Sequence, residues 1–129
     1  MMPSRALFVI RIALFSGVTA FAALVIYQRS RNAIVLGPDG GSLMETMRYV
    51  LWALSGAAVA GALFLRPRIE SAAPVQRGRM TLIGWALGEG VALFGVAQHY
   101  AGAPVTTLAL GVLTFVVVLI LLPVPQEHN

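Results

Sequence analysis

Four stretches of this chain are apolar for long enough to leave it few folds. They are Ala6 to Tyr27, Tyr49 to Leu65, Met80 to Tyr100 and Val105 to Leu122, and the charged side chains they contain are Arg11 and Glu89. A helix rises about 1.5 Å per residue and a hydrocarbon core is about 30 Å thick, so each stretch is close to the length of a membrane crossing. Composition agrees, because 58% hydrophobic and 11% charged residues with a mean hydropathy of +0.83 leave too little polar surface for a soluble domain. The expected fold class is all-α: one polytopic membrane domain of four transmembrane helices, an antiparallel bundle of two hairpins, with spans at about 6–27, 45–65, 80–100 and 105–122.

The first stretch has a competing reading as a secretory signal peptide, with Arg5 as its basic start and Ala20-Phe21-Ala22 as a small-residue cleavage site. Arg11 breaks the apolar region too early for that, and the run continues to Tyr27, which favours an uncleaved helix. The connection from Gln28 to Ser42 holds the turn-forming Gly37-Pro38-Asp39-Gly40-Gly41. Ser42 precedes Glu45 at capping-box spacing and predicts the start of the second helix. Arg66 to Arg79 reads as a polar loop carrying Arg66, Arg68, Arg77 and Arg79. With four spans it lies on the side of both termini, and the positive-inside rule makes that side cytoplasmic. The net charge of +4 comes from nine arginines and no lysine. In a membrane protein this reads as topology and lipid contact, not nucleic-acid binding, and arginine alone hints at a bacterial cytoplasmic membrane. The chain has no cysteine, which excludes disulfides, thiolate zinc sites and iron–sulfur ligation. No nucleotide fingerprint, G-x-S-x-G elbow or H-E-x-x-H motif is present, so enzyme chemistry of the usual soluble kinds has no support.

The third stretch carries the chemistry. Glu89 lies about 15 Å along it from Arg79, half-way through an apolar core, where an ionisable group is costly and demands a partner or a function. Gly84, Gly88, Ala92 and Gly95 recur at three- and four-residue spacing and form a groove for another helix. Gly56 and Gly61, with Ser55, Ala57 and Ala60, make a second strip of small residues. Desolvation beside such a groove favours a protonated carboxyl. Two readings of Glu89 follow: a hydrogen bond to a neighbouring helix, or a group that takes up and releases protons. Arg11 is a candidate ion-pair partner for it, at a depth within about 6 Å of Glu89, though its side chain also reaches the head groups. His99 is a candidate haem or chlorophyll ligand, set against the commoner interfacial histidine, and no second intramembrane histidine supports bis-histidine haem. Trp52 and Trp85 read as packing residues. The fourth stretch is apolar all round, suits a lipid-facing span and shows no chemistry.

Glu89-Gly90-Val91-Ala92-Leu93-Phe94-Gly95-Val96 resembles the E-x-x-A-[LI]-[YF]-G-[LV] signature around the ion-carrying carboxylate of the c subunits, or proteolipids, of rotary ATP synthases and V-type ATPases. The resemblance covers roughly Leu51 to Gly102: a small-residue helix, an arginine-bearing loop and the carboxylate helix come in that order. It implies that Glu89 carries a proton and that Gly56 and Gly61 lie on a closely packed inner helix. The regular G-x-G-x-G-x-G run of that family is absent, its two-helix members lack the outer spans, its four-helix members place the carboxylate on the last helix, and Gly88 and Gly90 supply none of the oxygens a sodium site needs. Proton handling within a homo-oligomer and a structural role as accessory subunit of a larger membrane complex are the two functions the sequence supports.

Overall fold

The computed structural model describes residues 4–31 and 40–125. These form α1 (Ser4–Arg31), α2 (Gly40–Ser71), α3 (Pro74–Tyr100) and α4 (Val105–Leu121). The first three are long and apolar enough to cross a membrane. α4, with 17 residues, covers about 26 Å, slightly less than a hydrocarbon core.

The segment Arg66 to Arg79, expected as a polar loop, is instead helical apart from Ala72 and Ala73. α2 carries Pro67 in its interior, which removes one backbone hydrogen bond. The helix runs on because Ile69 is buried, Arg66 reaches Glu70 one turn ahead at 3.8 Å, and the Arg68 guanidinium lies 4.2 Å from the Phe64 ring centroid. Ala73 is extended (φ −60°, ψ 147°), as a residue before proline must be, and Pro74 opens α3. The capping box expected at Ser42 and Glu45 is not formed: α2 starts earlier, at Gly40, with no acidic residue in its first turn, and Ser42 lies inside the helix with its carbonyl accepting the Thr46 hydroxyl at 3.2 Å. Gln28 to Arg31 belong to α1. The turn expected around Gly37-Pro38-Asp39, the tail from Gln126 and His128 lie outside the described residues.

α3 is the axis of the molecule and packs on each of the other helices, most closely on α4; α1 and α2 make no close approach to one another among the described residues. The arrangement among the described residues is a tight α3–α4 hairpin flanked by α1 and α2, and the first hairpin of the expected antiparallel bundle of two hairpins has no α1–α2 contact there. α1 faces inward with Leu7, Arg11, Leu14, Val18, Ala22, Val25 and Arg29, and α2 with Met47, Leu51, Ser55, Ala58, Ala62, Leu65 and Ile69. Spacings of three and four keep each set on one narrow stripe. The remaining surface of these helices is apolar, with Phe8 55%, Trp52 59% and Phe64 58% exposed.

The α3–α4 contact is built on small residues. A Cβ at Gly95 would stand 3.0 Å from the Thr107 carbonyl oxygen and 3.2 Å from Gly111 Cα; one at Gly111 would stand 3.0 Å from the Val91 carbonyl oxygen. At Gly88 it would meet Val118 and Phe115 at 3.1 and 3.2 Å, and at Gly84 it would collide with the Leu122 side chain. Backbones this close gain dispersion contact along the helix. α4 is consequently a core helix on one face, burying Thr107, Leu108, Gly111, Thr114, Phe115, Val118 and Leu119, and not the purely lipid-facing span its hydropathy suggested. Gly56 and Gly61 lie elsewhere, with no atom of a neighbour within 4 Å of where a Cβ would be.

Candidate functional site

Glu89 stands one residue, about 100° around the helix, from Gly88, which faces α4. Two turns further on, Val96 on the same side of α3 is fully buried in a cluster with Ala22 and Val25 of α1. Glu89 therefore flanks the α1 side of α3. Its neighbours Ala86, Gly90 and Leu93 are exposed, and Glu89 itself is half-buried, at the margin between packed interior and outer face. Gly90 opens onto free space. Among the described residues the carboxylate has no ion-pair partner, because the salt bridge present is Arg66 to Glu70, and none of the side-chain hydrogen bonds includes it. Trp85, one turn before Glu89, is fully buried and donates its indole N–H to the Leu122 carbonyl at 2.7 Å. Trp52, read as a packing residue, is exposed on the outer face of α2.

The ion pair with Arg11 is not formed. Arg11 Nη2 donates instead to the Leu119 carbonyl at 2.9 Å, in the last turn of α4, where backbone carbonyls lack helical donors. The same use of arginine recurs. Arg29 donates from Nε to the His99 carbonyl at 3.0 Å and from Nη2 to the Gly102 carbonyl at 2.9 Å, at the end of α3. Arg77 donates from Nε to the Ala72 carbonyl at 3.0 Å and from Nη2 to the Glu70 carbonyl at 3.3 Å, at the end of α2. A cation at a helix C-terminus satisfies orphan carbonyls and opposes the negative end of the helix dipole. Each of these helices thus has its last turn closed by an arginine from another element, and α1 supplies two of the three.

The α3–α4 turn completes this end of the molecule. Ala103 N–H donates to the Gln98 carbonyl at 2.9 Å and Gly102 N–H to that of His99 at 3.1 Å, a Schellman pair with Gly102 at φ 123°. His99 is buried, and its Nδ1 lies 2.8 Å from the Ala103 carbonyl, so Nδ1 carries the proton and the ring pins the turn. The haem or chlorophyll reading of this residue concerns the other ring nitrogen, Nε2, which this bond does not engage. Gln98 donates to the Met47 carbonyl of α2 at 3.0 Å; its Oε1 and the hydroxyl of Ser55 are buried with no hydrogen-bond partner.

Of the residues singled out from the sequence, Gly84, Gly88, Ala92 and Gly95 come together in the α3–α4 contact. Gly56 and Gly61 face away from it, and Arg11 serves α4 while Glu89 flanks α1. Arg66 and Arg77 border one cleft with the segment after α4, while Arg68 and Arg79 are exposed at the same end. Sequence reasoning missed Arg29, Gln98, Thr107 and Gly111. The spacing Thr107, Gly111, Thr114, Val118, three and four residues apart, was the available sign of a packed face on α4. No family model, no curated protein and no solved structure matches this chain.

Proposed function

We propose that this protein is integral to a membrane, with both termini and the α2–α3 corner on the cytoplasmic side of a bacterial inner membrane, and that Glu89 is its working group, a carboxyl that binds and releases a proton. The observation that carries this reading is a half-buried carboxylate in the middle of α3 that has no partner among the described residues, while Arg11, the cation the sequence offered for it, is committed to a backbone carbonyl. A group kept at such depth without a structural contact is a functional candidate by default. The resemblance of Glu89 to Val96 to the proteolipid signature supports the same role. The inside-out surface supports membrane insertion: large apolar side chains cover the outside, while Thr81, Gln98, His99, Thr107 and Thr114 are buried. Dicyclohexylcarbodiimide, which attacks protonated carboxyls in apolar surroundings, should modify Glu89 in membranes, less so as the pH rises, and should leave Glu89→Gln unmodified. Absence of modification throughout the range from about pH 5 to 9 would refute the proton-binding reading.

A second reading, a non-catalytic accessory subunit of a larger membrane complex, is favoured by the outer face of α2. There Gly56 and Gly61 present open backbone that none of the described residues fills, as a surface awaiting another helix would. The native mass of the detergent-extracted protein separates a homo-oligomer from a subunit that leaves the membrane with other chains.

A further inference from the structure

At the end of the molecule where α2 turns into α3, a cleft of about 380 Å³ separates that corner from the segment following α4. One wall carries Arg66, Arg77 and Glu70; the other is apolar, formed by Leu122, Val124 and Pro125. Among the described residues Arg66 is held by a 3.8 Å contact with Glu70, both side chains being largely exposed at 53% and 72%. Arg77 spends Nε and Nη2 on the end of α2, and its Nη1 engages none of the described residues. The cleft therefore offers guanidinium N–H groups on one side and a hydrocarbon surface on the other.

We propose that this cleft binds an anionic phospholipid, its phosphate on Arg66 and Arg77 and the start of its acyl chains along the Leu122 to Pro125 wall. The inference rests on the membrane reading above. Charge and shape select the occupant: guanidinium groups match phosphate oxygens, a basic pocket at the end of membrane helices suits an acidic head group, and the apolar wall has no use for a free anion. Glu70 lines the same cleft and sets the affinity by competing with the phosphate for Arg66.

The test is native mass spectrometry of the full chain in detergent, titrated with phosphatidylglycerol, with phosphatidylcholine of the same acyl chains, and with inorganic phosphate. Phosphatidylglycerol should bind more tightly than phosphatidylcholine, Arg66→Gln should weaken it about fivefold, and Glu70→Gln should strengthen it. Binding of phosphatidylcholine, whose choline cation offsets its phosphate, should change less than that of phosphatidylglycerol in both variants. Arg77→Gln also uncaps α2, so the comparison is made at Arg66 and Glu70, which are exposed. Equal binding of the two lipids, or a preference indifferent to both substitutions, would overturn the proposal, as would displacement of phosphatidylglycerol by inorganic phosphate. A protein released from membranes only by detergent yet without lipid preference refutes this site alone and leaves its insertion standing.

Discussion

The guanidinium of Arg11 decides how Glu89 is read. A contact between the two would tie up both charges and make the carboxylate structural; with Arg11 hydrogen-bonded to the Leu119 carbonyl, Glu89 has no partner among the described residues. The consequence is measurable in a double-mutant cycle. Arg11→Leu is expected to cost about 1–3 kcal/mol through the lost charge-assisted bond, and Glu89→Gln added to it should be additive within about 0.5 kcal/mol, since the two share no partner. Recovery of stability in the double mutant, followed by thermal unfolding in detergent, would instead reveal a pair. At the other end, Gly102→Ala should cost on the order of 1 kcal/mol, because its φ of 123° lies where a Cβ is strained. The site was half legible in the sequence at this scale. Glu89 stands out because a carboxylate in an apolar run is visible in one letter. The roles of Arg11, Arg29 and Arg77 are hidden, because their acceptors are backbone carbonyls, which every residue has and no letter marks.

For the helices, the decisive contact is that of α3 with α4, where Gly95 and Gly111 bring backbones together. Gly111→Ala places a methyl 3.0 Å from the Val91 carbonyl oxygen and 3.2 Å from Ala92 Cα, neither of which moves without shifting a helix. It should lower stability by about 1–3 kcal/mol. Gly56→Ala and Gly61→Ala meet open space and, gaining helix propensity, should be neutral or stabilising by up to about 1 kcal/mol in the isolated chain; a large loss there would contradict the assigned faces. The glycines of α3 were legible because Gly84, Gly88 and Gly95 interrupt a run of larger residues at helical spacing. α4 was misread for a physical reason: hydropathy registers transfer from water, whereas in lipid the buried face is distinguished by size, and Gly111 among valines and leucines changes the hydropathy little. The α2–α3 corner was misread because polarity suggested a loop, although arginine and glutamate one turn apart are good helix formers.

For the whole molecule, one end gathers the start of α1, the end of α2, the start of α3 and the end of α4, as Arg11 to Leu119 and Trp85 to Leu122 require. That end carries Arg5, Arg66, Arg68, Arg77 and Arg79, the arginine surplus on which the proposed cytoplasmic placement rests. Cysteine placed at the exposed Ser71 should be protected from an impermeant thiol reagent outside the cell, and cysteine at the exposed Ala101, on the opposite end, should react. Reversed labelling would invert the topology. Within it, three arginines close helix ends, and Glu89, at the margin of α3, is the proposed proton-binding group. Infrared spectra of the protein in lipid bilayers, recorded across a pH titration, test this most directly. The account predicts a carboxylic-acid C=O band that converts to carboxylate as the pH rises and is missing in Glu89→Gln. A wild-type spectrum with no titrating band removed by that substitution would contradict it.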